Sequence, residues 1–176
     1  TKISYVIDKA TINLSAIAGS SSFIYDNAFD FVSEKTYTTD HVTNFGEVVY
    51  LYATIDNPTV FTATVPENVG AYLVKAVVYA DEANNWKAVE TAPFRFEITQ
   101  RPISVPALSA TTSVFNGSVF KPTAEKNDQI YKIEYQNENS INKGEYKVTF
   151  TIIDQNYKWA DGANGIRTYT ITPATP

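Results

Sequence analysis

Gly144-Glu145-Tyr146-Lys147-Val148-Thr149-Phe150-Thr151-Ile152 decides the fold class of this 176-residue chain. From Tyr146 onward every second residue is apolar, while Lys147, Thr149 and Thr151 face the other way. A period of two is the mark of a strand with one buried face. The same phrase stands earlier as Tyr72, Val74, Ala76 and Val78, where Leu73 and Val77 make the outer face less polar. Each copy is entered in the same way, through Asn68-Val69-Gly70 before Tyr72 and Asn142-Lys143-Gly144 before Tyr146. An Asn/Gly turn feeding a strand is physically sound, since glycine tolerates backbone angles that other residues avoid.

Working outward, two more phrases recur. Tyr5-Val6-Ile7-Asp8-Lys9-Ala10-Thr11-Ile12 returns as Phe96-Glu97-Ile98-Thr99-Gln100-Arg101-Pro102-Ile103 and again as Tyr169-Thr170-Ile171-Thr172-Pro173-Ala174-Thr175-Pro176. Its Ile residues are spaced by 91 and then 73 positions. Ile24-Tyr25-Asp26-Asn27 returns as Val114-Phe115-Asn116-Gly117. Together these phrases define an internal repeat of uneven period. Residues 1–9 read as a lead-in strand or the end of a preceding repeat, residues 10–100 as repeat one and residues 101–176 as repeat two. Each repeat has the size of a small β-domain. Repeat one carries an extra segment over residues 36–63, with a strand around 50–55 and a second short one around 61–65. The shorter counterpart in repeat two is residues 130–135.

Composition agrees with strands. The chain is 44% hydrophobic and only 19% charged, enough apolar material for a core, and its 12 Tyr and 10 Phe suit a pleated, half-buried surface. No stretch holds a 3.6-residue period. Short strands with turn signals between them predict an all-β chain of two tandem β-sandwich domains. The alternative is a pair of β-grasp-like units, which need a helix across a four-stranded sheet; the best candidate is residues 81–91, interrupted by Asn84-Asn85 and stopped by Pro93.

Charge and residue usage exclude most chemistry. The net charge of −5 argues against nucleic acid and anionic membranes as partners, because both require a basic surface. The charge splits unevenly, −6 over residues 1–100 and +1 over the rest. No apolar run is long enough for membrane insertion. Absence of Cys removes disulfides and thiolate sites. Absence of Met, even at position 1, reads as a piece excised from a longer chain. The single His, His41, lies in the polar run Thr39-Asp40-His41-Val42-Thr43 without a nucleophile elbow, so no catalytic residue, cofactor or metal is expected. Asp154-Gln155-Asn156 and Asp161-Gly162 offer oxygen ligands, but their spacing is not that of a calcium loop, and turn formation explains them better. An isopeptide crosslink would need Lys9, Lys75 or Lys132 beside an Asn and a buried acid, a convergence that sequence does not reveal.

The order Phe115-Asn116-Gly117, Lys121-Pro122, Gly144-Glu145-Tyr146-Lys147-Val148, Asp154 through Gly162 and Thr168-Tyr169-Thr170-Ile171 resembles the tandem repeats of bacterial surface proteins of the MBG or YDG type and related bacterial immunoglobulin-like modules. Repeat two matches over most of its length. Repeat one matches at its ends and carries Asn27 where the family turn has Gly. The resemblance implies immunoglobulin-like sandwiches in a secreted, cell-wall-linked adhesin, with neighbouring repeats of the same chain as partners. The implied use is a non-catalytic spacer or stalk. The alternative is a module that binds glycan or host protein through exposed aromatics.

Specific residues follow from this reading. Gly70 with Tyr72 and Gly144 with Tyr146 match the tyrosine corner of such sandwiches, so both rings are expected to be largely buried, with their hydroxyls on nearby backbone. Asn85-Trp86-Lys87 aligns with Asn156-Tyr157-Lys158, which makes Trp86 a scaffold residue. Trp159 aligns with Ala88, so a ring there is not demanded by the scaffold. Tyr157, Trp159 and Asp161 are therefore the candidate glycan site, weighed against the plainer reading that Trp159 covers the neighbouring sheet.

Overall fold

The stretch that decides the fold class forms one continuous strand, Gly144–Ile152, and its counterpart Gly70–Val78 is a strand of the same length. The computed structural model describes residues 3–26, 47–80 and 85–174, and the chain divides into two compact units, Thr1–Thr99 and Gln100–Pro176. The division falls one residue before the expected boundary and groups residues 1–9 with the first unit. Gln100 belongs with the second unit because its side-chain amide donates to the carbonyl oxygens of Gln155 and Tyr157. His41 and Asn27 lie outside the described residues.

Among the described residues of the first unit the strands are β1 (Ser22–Ile24), β2 (Val48–Thr54), β3 (Gly70–Val78), β4 (Val89–Glu90) and β5 (Phe94–Thr99). They form one mixed sheet in the order β1-β5-β3-β2, with β4 also paired to β3. β1 runs parallel to β5, and the other pairs are antiparallel. Its core gathers Ile12, Tyr52, Val74, Ala76, Phe96 and Ile98. All but Ile12, which lies outside the strands, come from alternate strand positions, as the period of two requires.

The second unit contains β6 (Arg101–Ile103), β7 (Thr112–Val114), β8 (Tyr131–Tyr135), β9 (Gly144–Ile152), β10 (Tyr157–Trp159) and β11 (Ile166–Thr172). Its main sheet has the order β7-β11-β9-β8, again with the first strand parallel to the last. β6 and β10 make a separate parallel pair. Pro102 is tolerated in β6 because that strand pairs on one side only, so the missing amide breaks no second ladder. Val105, Tyr131, Val148, Phe150 and Tyr169 form the buried centre, and Phe120, Tyr146 and Trp159 pack around it.

The repeat inferred from sequence recurs in the pairing of the entry and closing strands. Gly70 pairs with Ile98 and Gly144 with Ile171. Ile24 pairs with Thr99 and Val114 with Thr172. The Tyr25 and Phe115 amides donate to the carbonyls of Thr99 and Thr172 at 2.9 and 2.8 Å. The hydroxyls of the same two threonines donate to the carbonyls of Phe23 and Ser113. Outside the main sheets, the Ala10 amide bonds Asn85 O and the Arg101 amide bonds Asn156 O, both at 2.9 Å. Every one of these pairs is related by the same alignment of the two halves.

The all-β class therefore holds among the described residues. In the segment proposed as the β-grasp helix, residues 85–91 contain a turn, a bridge from Trp86 to Ala10 and strand β4 instead of a helix. Asn85 explains the break, since it sits at φ 62°, a left-handed conformation that Asn accepts more readily than most residues.

Candidate functional site

The Gly-x-Tyr entries to β3 and β9 are built alike. Residues two apart share a face of a strand, so the tyrosine ring can lie back over the glycine. A side chain at Gly70 would put its Cβ 2.9 Å from the Tyr72 hydroxyl, and one at Gly144 would meet the Tyr146 ring at 3.6–3.7 Å. The Tyr72 hydroxyl donates to Asn68 O and the Tyr146 hydroxyl to Asn142 O, both at 2.8 Å. The rings then stack on the next strand, Tyr72 on Phe96 at 5.6 Å and Tyr146 on Tyr169 at 5.3 Å. Both tyrosines are mostly covered without being fully enclosed, because the corner lies at the rim where the strand begins. Desolvation still raises the Tyr72 phenol above its ordinary value.

The candidate glycan residues are also placed by the sheet. β10 holds Tyr157 opposite Arg101 and Trp159 opposite Ile103. Tyr157 is buried at 9% exposure. Trp159 turns onto the core, 5.7 Å from Tyr131 and 6.5 Å from Phe150 between ring centroids. Trp86, the scaffold counterpart of Tyr157, is half-buried. Asp161 is exposed and sits at φ 53° in a short 3-10 turn, Ala160–Gly162. Tyr157 and Trp159 thus present no open two-ring platform beside Asp161. The same-face spacing is real, but that face is the core face.

The Asx side chains have local work. Asp154 Oδ1 accepts the Asn156 amide at 2.9 Å, and Asn116 Oδ1 accepts that of Ser118. These are turn bonds, which satisfy backbone donors that no strand serves. Among the described residues no three His, Cys, Asp or Glu side chains gather as a metal site. Lys75 bonds Glu90 at 2.6 Å and lies over the Phe61 ring at 4.6 Å, an ion pair. An open groove in the first unit is lined by Tyr52, Val60, Val65, Pro66, Glu67 and Tyr72, with Glu67 the one carboxylate among its described lining residues. Among the described residues no helix is long and apolar enough to cross a membrane.

Two structurally decisive groups escape a reading by pattern. Gly165 sits at φ 71°, and a Cβ there would lie 2.3 Å from Phe150 O and 2.7 Å from Trp159 Nε1. The Asn164-Gly165 dipeptide was its available signal. Ser140 and Tyr169 share a buried hydrogen bond of 2.8 Å, a contact over 29 residues that no local pattern encodes.

No protein-family model, no curated protein and no solved structure matches the chain.

Proposed function

We propose that this chain is a non-catalytic, load-bearing spacer made of two tandem immunoglobulin-like β modules. Its place of use is a bacterial cell surface, as part of an adhesin or related secreted protein. The observation that carries this reading is the parallel pairing of early and last strands in each unit, β1 with β5 and β7 with β11. When the ends of a unit are drawn apart, β7 is pulled toward its start and β11 toward its finish. Their hydrogen bonds, Phe115 N to Thr172 O and Thr170 N to Thr111 O among them, are then loaded together along the strands. Bonds loaded together resist better than bonds opened one at a time, and forced unfolding is governed by that barrier. The same bonds recur in the first unit from Tyr25 N to Thr99 O and from Glu97 N to Ser21 O. The tyrosine-to-backbone bonds at Asn68 and Asn142 support the immunoglobulin-like description. The resemblance to MBG and YDG repeats supports the setting.

Single-molecule pulling tests the reading. Drawn from its two ends, the chain should give two separate unfolding events. With handles at positions 117 and 174, β7 and β11 are peeled apart from one shared end, and the second unit should open at clearly lower force. Equal forces for the two attachments would overturn the load-bearing role.

A further inference from the structure

Residues 3–8 carry the pattern of a central strand and have no sheet. In the repeat alignment Ile3, Tyr5 and Ile7 correspond to Phe94, Phe96 and Ile98 of β5, so all three core-facing positions are apolar in both. Tyr5 and Ile7 also correspond to Tyr169 and Ile171 of β11. Phe96, Ile98, Tyr169 and Ile171 are 0–2% exposed, and each belongs to a strand paired on both sides. Tyr5 and Ile7 are 83% and 84% exposed. Immediately downstream the likeness continues as established pairing, since Ala10 bonds Asn85 as Arg101 bonds Asn156. Residues 3–8 thus stand to Ala10 as β5 stands to β6. Singly exposed apolar residues are ordinary, but Ile3, Tyr5, Val6 and Ile7 are exposed together, and such clusters mark interaction sites.

We infer that residues 3–8 are the closing strand of another sheet of this same repeat type, inserted between its first strand and its Gly-x-Tyr strand. Tyr5 would take the place of Tyr169, stacked on the corner tyrosine, and Ile7 that of Ile171. The occupant is a repeat unit lacking its own last strand. This inference rests on the repeat register and not on the load-bearing reading.

The test keeps the full chain and supplies such a sheet. Residues 101–165, which end just before β11, are fused directly to residues 2–176, so that Tyr5 falls where Tyr169 would be. A control fusion places residues 101–176, with their own β11, before residue 1. In the first fusion the leading segment should fold, and the amides of residues 4–8 should exchange at least ~100-fold more slowly than in the 176-residue chain. Tyr5→Asp with Ile7→Asp should unfold the leading segment alone, because both side chains are exposed in the chain itself. The inference is overturned if the control's leading segment folds while that of the first fusion stays unfolded. It is equally overturned if the unfused chain forms dimers that Tyr5→Asp with Ile7→Asp abolishes, which would make a second copy the occupant.

Discussion

Ser140 Oγ and Tyr169 Oη lie 2.8 Å apart in the buried centre of the second unit, where the first unit has Phe96 in place of the tyrosine. Ser140 is wholly buried and also donates toward Asn137 O at 3.1 Å. Tyr169→Phe should therefore cost about 1 kcal/mol, since Ser140 keeps a second partner. Ser140→Ala should cost about 1–3 kcal/mol, because the phenol is left with only a long contact to Asn137 O at 3.4 Å. The double variant should cost less than the sum. Urea titration measures all three, and strict additivity would show that the two hydroxyls do not act as a pair.

Gly165→Ala should be among the most damaging single changes in the second unit. It places a methyl group against Phe150 O and forces a left-handed backbone onto an L side chain. The Phe150 amide bonds Gly165 O at 2.7 Å, so the start of the β9–β11 ladder would shift. A loss of ~3 kcal/mol or more is expected. Gly117→Ala is the control, having a similar φ of 76° and nothing within 4 Å of the added Cβ, and should cost far less. Comparable losses would show that backbone strain alone matters at Gly165.

Trp159→Ala removes a ring that touches Tyr131 and Phe150. Truncating a large core aromatic costs about 3–5 kcal/mol, and the half-buried position of Trp159 puts this one near the lower end. Thermal unfolding of the second unit should move down accordingly. Unchanged stability with lost binding on a glycan array would instead restore the sugar-site reading.

Alkali should destabilise the protein. Burial raises the phenol pKa values of Tyr72, Tyr131 and Tyr135, with Glu125 and Asp128 adding to the effect at Tyr131. At Tyr135 the cation of Lys121 works in the opposite sense. A folded pKa above the unfolded value of about 10 means that the unfolded chain loses its proton first. Stability is thus fully present below about pH 10 and falls as pH rises through the folded values. The urea midpoint should be flat from neutral pH to roughly 9.5 and decline beyond. A midpoint unchanged to pH 12 would contradict the burial of these phenols.

Much of the fold was legible because the pattern that encodes it is local and used twice. Alternation from Tyr146 to Ile152 specified β9, and the phrase shared by Ile98 and Ile171 marked where each repeat closes, while the register of those closing strands was not read from it. The corner tyrosines were legible for the same reason: glycine, tyrosine and the accepting Asn carbonyl lie within five residues. What pattern alone did not give was the direction of Trp159. Strand parity placed it with Tyr157 on one face, but which face is buried depends on β6 and β9, far away in sequence. The Ser140–Tyr169 bond and the clash that preserves Gly165 are likewise products of tertiary approach. The mixed sheet order also lay beyond the pattern, since alternation is the same for parallel and antiparallel partners.

One fold is written twice in this chain, and each half closes its own core. The direct measurement is unfolding of residues 100–176 alone, beside residues 106–176 and the full chain. The 100–176 fragment should unfold cooperatively with the midpoint that the second unit shows in the full chain. The 106–176 fragment should be less stable, having lost the β6 partner of β10. A 100–176 fragment that fails to fold, or two fragments with identical unfolding, would contradict it.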